Sequence, residues 1–451
     1  MSFRQMENIP PSNNASKIEI LPIKHALQAS VRVPGSKSLT NRALLVAALA
    51  EGKTVLKNAL FSDDSAYFAG ALKQLGFEIA LDPARAEMII SGLGGSIPAQ
   101  KADLFIGNAG TAARFLTAFL TLGNGNYSLD GDARMRERPI GDLVSALTSL
   151  GADINELQLQ SDHPPKNSSH QSICPPIHIR AAGLPGGRAE IAGNVSSQFL
   201  SGLLMVAAYA RNPVEIILTT ELNSKPYVDL TLAVMSDFGV EVEHQGYGRF
   251  YIRPAHYHSR PDYAIESDAS AASYFFAAPA ILGGSVRVEN ISRFSKQGDI
   301  AFLDILRQMG CLVLEGRDTV EVTGPASLHG VQVDMRDISD TAQTLAAIAP
   351  FADSPTRIQG IGFIRAKESD RISDTCTELR RIGVEVNENS DGLTIKPSKV
   401  IKPAIIHTYN DHRMAMAFSL IGLRSPGVWI ENPACVSKTF PDFFKVLETL
   451  R

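Results

Sequence analysis

The sequence predicts a mixed α/β protein made of six copies of one unit, arranged as two domains of three. A helix opening, in which Ser, Thr, Asn or Asp runs into small apolar residues, recurs at Ser38, Thr111, Ser196, Ser270, Asp340 and Asp411. An amphipathic run that closes on glycine recurs between these openings, at Gly76, Gly151, Gly239, Gly310 and Gly383, and a sixth run starts at Phe443. Self-similarity at this period indicates one supersecondary unit whose copies pack against their neighbours.

The elements follow in the same order in each unit. The openings lie 73, 85, 74, 70 and 71 residues apart. β-rich stretches such as 285–289 and 356–358 lie between the two helices, and strands such as 393–395 follow the second helix. The spacing of 85 contains a Pro-, Ser- and Asn-rich stretch at 161–176, which predicts a surface loop without a function.

The composition argues against a membrane-spanning protein and against a generic nucleic-acid-binding protein. The chain has 451 residues, of which 44% are hydrophobic and 20% charged, and its longest apolar runs, such as 43–50, are too short to cross a bilayer. A net charge of -4 argues against generic nucleic-acid binding. Residues 1–17 are polar and lack a signal-peptide pattern. We therefore expect a cytoplasmic protein with a frayed N-terminal extension and neither a membrane nor a nucleic-acid partner. We also expect it to be a monomer.

The four cysteines give no sign of a disulfide framework or a zinc site. They are scattered, without C-x-x-C spacing, at Cys174, Cys311, Cys376 and Cys435. Free thiols in a reducing compartment are expected, and the sequence predicts neither a metal nor a cofactor.

The first two helix openings have features of an anion site. If the first helices of all units point the same way, their N-termini converge and favour bound anions. Residues 33–42, V-P-G-S-K-S-L-T-N-R, place Lys37 and Arg42 beside a helix dipole, although Ser36 stands where a P-loop requires Gly. Residues 107–114, G-N-A-G-T-A-A-R, offer bare backbone N–H groups at Gly110 and Thr111.

Cations recur at the later junctions as well. Arg134, Arg136 and Arg138 would share one side of an extended segment and invite an anion, although a solvated face is the alternative. Simple capping or an exposed salt-bridged turn would equally explain single motifs. Together, the pattern favours acid/base chemistry on anions without a metal. The other junction motifs are Ser196-Ser197-Gln198, Ser224-Lys225-Pro226-Tyr227, Asp334 to Asp340, Lys367 to Arg371, Tyr409 to Arg413 and Ser437 to Pro441.

Taken in order, these segments resemble the 5-enolpyruvylshikimate-3-phosphate synthase family. The match covers nearly all of the chain after about residue 18 through G-S-K-S-x-T-N-R, G-N-A-G-T-A, R-M-x-E-R-P-I-G, S-S-Q, S-K-P-Y, A-K-E-S-D-R, Y-N-D-H-R-M-A-M and K-T-F-P-D. The resemblance implies an inside-out α/β barrel, in which each of two pseudo-threefold domains contains three βαβαββ repeats. It places the crossings near 32–35 and 265–267. Residues 1–33 plus 268–451 would then form the catalytic and phosphoenolpyruvate side, and 34–267 the shikimate 3-phosphate side of an interdomain cleft.

The reaction implied by the resemblance moves the enolpyruvyl group of phosphoenolpyruvate to the 5-hydroxyl of shikimate 3-phosphate. It passes through a tetrahedral ketal, releases phosphate and belongs to the shikimate pathway to chorismate and the aromatic amino acids. The implied catalytic residues are Lys37, which touches both substrates, Asp340, which accepts the hydroxyl proton, and Glu368, which shuttles a proton at C3. The implied shikimate 3-phosphate residues are Lys37, Ser38, Arg42, Ser196, Ser197, Gln198, Ser224, Tyr227, Asp340 and Lys367. The implied phosphoenolpyruvate residues are Lys37, Gly110, Arg134, Gln198, Arg371, His412, Arg413 and Lys438.

Two positions depart from the family pattern. Phe115 stands where many relatives have Pro, behind the Gly110 loop, so sensitivity to glyphosate stays open. Phe363 stands where some relatives place an Asn that touches shikimate 3-phosphate, so we expect that contact to be missing.

Three alternatives remain at this level. The sibling enzyme that uses UDP-N-acetylglucosamine carries a reactive Cys in the segment matching 131–138, and none of the four cysteines falls there. RNA 3'-phosphate cyclase shares the fold, but a nucleic-acid substrate fits poorly with the mild negative charge. A non-catalytic repeat scaffold gives no reason for Lys37, Asp340 and Glu368 to occur together.

Overall fold

A computed structural model describes residues 16–157 and 173–451. Nearly all of the predicted N-terminal extension and most of the predicted 161–176 loop lie outside these residues. Within them the four cysteines are free, and no helix is long and apolar enough to cross a membrane.

Twelve α-helices occur in the described ranges. Their bounds are α1 Lys37–Leu49, α2 Asp63–Gln74, α3 Gly110–Leu120, α4 Gly141–Ser149, α5 Ser197–Ala207, α6 Lys225–Asp237, α7 Ala269–Leu282, α8 Phe302–Gln308, α9 Ala342–Ile348, α10 Arg371–Arg381, α11 His412–Arg424 and α12 Phe443–Glu448. Short 3-10 helices that matter below are Met135–Glu137, Gly298–Ala301, Ser339–Thr341 and Pro433–Lys438.

The same part of the chain contains 23 strands. Their bounds are β1 Lys17–Ile20, β2 Leu27–Val31, β3 Glu51–Lys57, β4 Glu78–Asp82, β5 Glu87–Leu93, β6 Lys101–Phe105, β7 Asn124–Asp130, β8 Asp153–Glu156, β9 Ile177–Ala182, β10 Gly187–Ile191, β11 Val214–Leu218, β12 Glu243–Gln245, β13 Arg249–Ile252, β14 Tyr263–Ala264, β15 Gly284–Val288, β16 Leu312–Glu315, β17 Val320–Thr323, β18 Gln332–Asp334, β19 Thr356–Gln359, β20 Val386–Asn389, β21 Gly392–Ile395, β22 Ala404–Ile406 and β23 Val428–Glu431.

These strands form six small sheets with one repeated topology. In the unit β6-α3-β7-α4-β8-β9, β6 pairs parallel with β7, β7 antiparallel with β9, and β9 antiparallel with β8. Four other sheets repeat this order with four strands, and the sixth has three strands, β1-β23-β22. The predicted six-unit mixed α/β fold is confirmed.

Five of the second helices end at the glycines that the sequence analysis selected. Gly76, Gly151, Gly239, Gly310 and Gly383 all have φ between +87° and +100°. A residue with a Cβ is strained in this left-handed region, so glycine ends the helix and turns the chain into the next strand.

Two units take their first strand from the other side of a chain crossing. β2 pairs parallel with β15, with Val31 opposite Val288, and β14 pairs parallel with β3, with Tyr263 opposite Leu56. The two crossing segments lie side by side, because Ser36 N–H donates to the Glu266 carbonyl at 2.8 Å and Asp268 N–H donates to the Pro34 carbonyl at 2.8 Å.

The buried apolar residues separate into two cores. The middle core runs from Leu39 to Ile265, and the terminal core combines Ile20 to Val33 with Ala269 to Leu450. The first helices of the units, among them α1, α3, α5 and α7, are buried over nearly their whole length. A helix that is apolar all round belongs in an interior, so the sheets and second helices surround these helices.

Candidate active site

The first helices of several units begin where the two cores meet. Ser36, Ser196, Asp268 and Asp411 cap four of them with side-chain oxygens. α3 begins at Gly110 without a side-chain cap. Its first N–H groups and the positive end of its dipole are therefore suited to an anion.

Glu368 lies among cations that come from both cores. Its side chain is 7% exposed, and its carboxylate lies 2.9 Å from Arg371 Nη2, 3.7 Å from Arg138 Nη1 and 3.9 Å from Lys438 Nζ. Burial opposes its ionisation, but the charges of Arg138, Arg371 and Lys438 hold the pKa of Glu368 well below its ordinary value. Glu368 is therefore a carboxylate whose protonation depends on how these cations are neutralised.

The start of α3 adjoins this cluster. Arg138 Nη1 donates to Asn108 Oδ1 at 2.8 Å and to the Asn108 carbonyl at 3.2 Å, and Lys438 Nζ donates to the same carbonyl at 2.7 Å. A Cβ placed on Gly110 would lie 2.4 Å from Arg138 Nη2, so only glycine admits the guanidinium here. Lys438 also pairs with the buried Asp64 at 2.7 Å. Two cations thus lie beside an uncapped helix start.

Asp340 forms a second centre. Arg413 Nη2 lies 2.6 Å and Arg371 Nη1 3.1 Å from its carboxylate, and Tyr227 donates its hydroxyl to Oδ2 at 3.0 Å. Burial opposes ionisation, but Arg413 and then Arg371 hold the pKa of Asp340 below its ordinary value. Because Arg371 pairs with Glu368, Asp340 and Asp411 at once, it links the two carboxylate centres.

Lys37 and Arg42 have different surroundings on α1. Lys37 Nζ lies 3.6 Å from Asp64, with 12% of its side chain exposed, and its backbone N–H donates to Asp268 at 3.1 Å. Arg42 is buried and donates to Thr231, Ser38, Ser201 and the Tyr227 carbonyl at 2.8–3.2 Å. These bonds tie Arg42 to the framework that holds Ser38 and Tyr227 in place.

The hydroxyl and amide residues lie on the middle-core side. Ser196 caps α5, Ser197 is buried in its first turn, and Gln198 Nε2 lies 3.4 Å from Thr111 Oγ1. Ser224 has a φ of +58° and donates across to the Arg336 carbonyl at 3.3 Å. Gln198 thus connects the starts of α3 and α5.

Lys367 and His412 complete the predicted set. Burial lowers the pKa of Lys367 to about 8, against the opposing charge of Asp340. His412 is fully buried, and among the described residues neither ring nitrogen has a hydrogen-bond partner. Burial and the neighbouring Arg413 lower the pKa of His412 well below its ordinary value, so the ring is neutral. The part of the chain that the structure describes contains no cluster of three His, Cys, Asp or Glu arranged to hold a metal ion.

Comparison with known proteins assigns this arrangement to a family. A family model described as EPSP synthase (3-phosphoshikimate 1-carboxyvinyltransferase) matches residues 22–447. The chain belongs to the EPSP synthase family. The resemblance noted from its motifs is therefore confirmed, and with it the class of transferases.

Relatives of this family match almost end to end. The 3-phosphoshikimate 1-carboxyvinyltransferase of Trichormus variabilis is 51% identical over 95% of this chain and 97% of its own length. The chloroplastic enzyme of Arabidopsis thaliana is 45% identical over 99% of this chain and 87% of its own. The solved EPSP synthase of Acinetobacter baumannii aligns with a TM-score of 0.78 at 25% identity, over 96% of this chain and 98% of that one. The predicted inside-out, two-domain α/β architecture agrees with this likeness.

The structure corrects the interpretation of the arginine-rich segment of this EPSP synthase family member. Met135–Glu137 is a 3-10 helix rather than an extended stretch, so the three arginines point to different places. Arg134 donates to the carbonyls of Lys367 and Glu368 and to the Glu137 carboxylate. Arg136 pairs with Asp130. Arg138, to which the resemblance assigns neither substrate, is the one that lies beside Gly110 and Glu368.

Two other interpretations also change. The segment 367–371 is not an exposed salt-bridged turn, because Glu368 and Arg371 are buried. Asp340 is not a helix cap, since its side chain pairs with Arg371 and Arg413.

Sequence reasoning missed several other residues of the site. Two of them, Asp64 and Asp299, lie outside every motif and contact Lys438 and Tyr227. Asn108 and Asp411 lie within motifs that assigned them no contact, and they bind Lys438 and Arg371. The available signal for Arg138 was Pro139, since a residue before proline is driven into an extended conformation and leaves the preceding turn. Arg138 has φ -87° and ψ 115°, in agreement with this rule.

Proposed function

We propose that this chain transfers the enolpyruvyl group of phosphoenolpyruvate to the 5-hydroxyl of shikimate 3-phosphate at the interface between the two cores. The observation that carries the proposal is Arg371, which joins Glu368 to Asp340 at 2.9 and 3.1 Å. The reaction needs a proton donated to C3 and a proton removed from a hydroxyl. Glu368, which is buried, and Asp340, which is partly buried, are held in one network and supply one group for each task.

The phosphoenolpyruvate end of the site is the start of α3 with the cations around it. Gly110 and Thr111 each supply a backbone N–H, and Arg138, Arg371 and Lys438 come from both cores. Guanidinium groups bind carboxylate and phosphate oxygens bidentately, which fixes an anion as well as neutralising it. The other predicted contacts lie around the same interface and remain predictions: Lys37, Arg134, Gln198, His412 and Arg413.

Glu368 gains its proton when the anion arrives. The charges of Arg138, Arg371 and Lys438 hold the pKa of Glu368 low in the structure as it stands. Phosphoenolpyruvate brings negative charge to the same three cations and weakens their hold on the carboxylate, so the pKa of Glu368 rises. A protonated Glu368 then donates to C3 and, as a carboxylate, removes a proton when phosphate leaves.

Asp340 accepts the proton of the 5-hydroxyl. Arg413 and Arg371 keep Asp340 ionised and fix its orientation. Lys37, near Asp64 at the start of α1, supplies positive charge for the phosphate that leaves. Shikimate 3-phosphate is held by Ser38, Ser196, Ser197, Gln198, Ser224, Tyr227 and Lys367, with Arg42 supporting Ser38 and Tyr227 from within the middle core.

The two cores act as domains that close on the substrates. Residues 34–267 form one domain, and residues 1–33 with 268–451 form the other, with the crossings near 32–35 and 265–267 as hinges. Contacts such as Arg134 with the Lys367 carbonyl, Ser224 with the Arg336 carbonyl and Lys438 with Asp64 connect the domains. Because cations for phosphoenolpyruvate come from both sides, the anion favours the closed arrangement. The chain works as a monomer, since one chain supplies both halves.

The assay is release of inorganic phosphate from phosphoenolpyruvate. We expect release that depends on shikimate 3-phosphate, with UDP-N-acetylglucosamine as the control acceptor. Equal release with the two acceptors, or none with either, contradicts the proposal.

A further inference from the structure

A second carboxyl group lies behind Asp340, and no cation among the described residues forms an ion pair with it. Asp299 is 5% exposed, in the 3-10 helix that precedes α8. Its Oδ2 accepts hydrogen bonds from the hydroxyls of Tyr227, at 3.0 Å, and Ser270. Its Oδ1 is buried without a hydrogen-bond partner among the described residues. An ionised carboxylate with one bare oxygen is costly to bury, whereas a neutral carboxyl is less so.

The Tyr227 hydroxyl lies between the carboxyl groups of Asp299 and Asp340. If both were ionised, one more proton would be needed for a hydrogen bond to each of them. The hydroxyl oxygen lies 3.0 Å from Asp299 Oδ2 and 3.0 Å from Asp340 Oδ2. A phenol has one proton and can donate to only one of them. Asp340 is the ionised partner, because Arg371 and Arg413 face it. If Asp299 carries a proton, it donates to the Tyr227 oxygen and Tyr227 donates to Asp340, so every contact in the row is satisfied.

The charges that face Asp299 favour this state. Asp268 and Ser270 approach from α7, Tyr227 from α6, Asp340 from the Ser339–Thr341 turn and Arg413 from α11. Tyr274 and Lys37 line the same small cavity. Burial, reinforced by the charge of Asp340, raises the pKa of Asp299 to about 7, against the hydrogen bond from Ser270 and the charge of Arg413.

We propose that Asp299 is a positioning residue that acts in its protonated form, donating to Tyr227 so that Tyr227 donates to Asp340 across the interface between the cores. This inference rests on the proposed role of Asp340 as acceptor of the 5-hydroxyl proton. Tyr227 belongs to the middle core and both carboxyls to the terminal core, so the row fixes Asp340 and holds the closed arrangement together. Ionised Asp299 would instead place two negative charges on either side of one hydroxyl, and the contact would loosen.

The test is the pH profile of kcat/KM for shikimate 3-phosphate in wild type, Asp299→Asn, Asp299→Ala and Tyr227→Phe. Wild type should lose activity as the pH rises through about 7, because Asp299 ionises. In Asp299→Asn this loss should vanish, since the amide stays neutral and still donates to Tyr227, and its rate at pH 6 should exceed that of Asp299→Ala by about tenfold. Adding Asp299→Asn to Tyr227→Phe should have no further effect on the profile.

Several outcomes overturn the inference while leaving the proposed function in place. In the first, wild type is active and its fall in kcat/KM near pH 7 persists in Asp299→Asn. In the second, Asp299→Asn and Asp299→Ala have equal rates at pH 6. Should Asp299→Ala fail to fold, infrared difference spectra of wild type against Asp299→Asn decide the matter. A protonated carboxyl band at pH 6 that Asp299→Asn lacks supports the proposal, and its absence in wild type refutes it. A wild type without acceptor-dependent phosphate release at any pH contradicts the proposed function itself.

Discussion

Three arginines within five residues allow variants of one residue type to be compared with one another, because their side chains have different contacts and different exposure in the structure. Arg138 is 3% exposed and contacts Asn108 and Glu368, whereas Arg134 is 34% and Arg136 41% exposed. Removing one partner from a buried, charged contact costs about 3 kcal/mol, so Arg138→Ala should lower kcat/KM for phosphoenolpyruvate about 100-fold. Arg134→Ala loses partly exposed bonds worth about 1 kcal/mol, or about fivefold, and Arg136→Ala should change the rate less than about twofold.

The assay is steady-state phosphate release with phosphoenolpyruvate varied at saturating shikimate 3-phosphate. Arg138→Lys separates charge from geometry, since the ammonium keeps the positive charge but loses the planar fork that contacts Asn108. We expect it to recover only part of the loss. Thermal unfolding of each variant controls for folding. A loss in Arg134→Ala that equals or exceeds the loss in Arg138→Ala would refute our proposal that Arg138 is the main anion contact of this segment.

Three further predictions follow from the ionisable groups. Glu368→Gln should abolish most turnover while the dissociation constant for shikimate 3-phosphate stays within about threefold, because protonation is needed only on the reaction path; a large rise in that constant with unchanged kcat contradicts the role. The lowered pKa of Lys367, about 8, implies that kcat/KM for shikimate 3-phosphate falls as Lys367 loses its proton above pH 8. Lys367→Arg should remove this fall. If the fall persists in Lys367→Arg, another group is responsible for it. The pKa of Asp299 is raised to about 7, so its contribution to stability is present below about pH 4 and lost as the pH rises through 7. Urea unfolding should show wild type losing about 1 kcal/mol per pH unit relative to Asp299→Asn in that window, and parallel curves argue against a protonated Asp299.

The repeated fold could be predicted because its signals are local. A capped opening such as Ser196 and a left-handed glycine such as Gly239 mark helix ends within a few residues of sequence. The strand exchange at the crossings could not be derived from local pattern, since β14 has only two residues and pairs with β3 some 200 positions away. The family resemblance, rather than periodicity, indicated where the crossings lie.

The site could be predicted where a motif contains a single residue that is able to perform the role. The prediction failed where several residues of one type lie close together in sequence and their side chains point in different directions. Lys37, Asp340, Glu368 and Arg371 do lie at the interface between the cores. The arginine-rich segment misled because side-chain direction depends on whether the backbone is extended or turned, and the Met135–Glu137 turn rotates each arginine away from the next. Asp299 carried no signal, since a buried carboxyl without a partner cation is visible only once its neighbours are in place.

The cations of the interface already face carboxylates, and this shapes how substrates bind. Arg371 contacts Glu368, Asp340 and Asp411, Arg413 contacts Asp340, and Lys438 contacts Asp64. A substrate anion therefore competes with a carboxylate of the protein and gains only the difference between the two contacts. A single small anion gains little from such an exchange, whereas a substrate that carries both a carboxylate and a phosphate displaces several contacts at once. Because Glu368 and Asp340 are two of these carboxylates, the exchange that selects the substrate also changes the charge around the groups that we propose move protons.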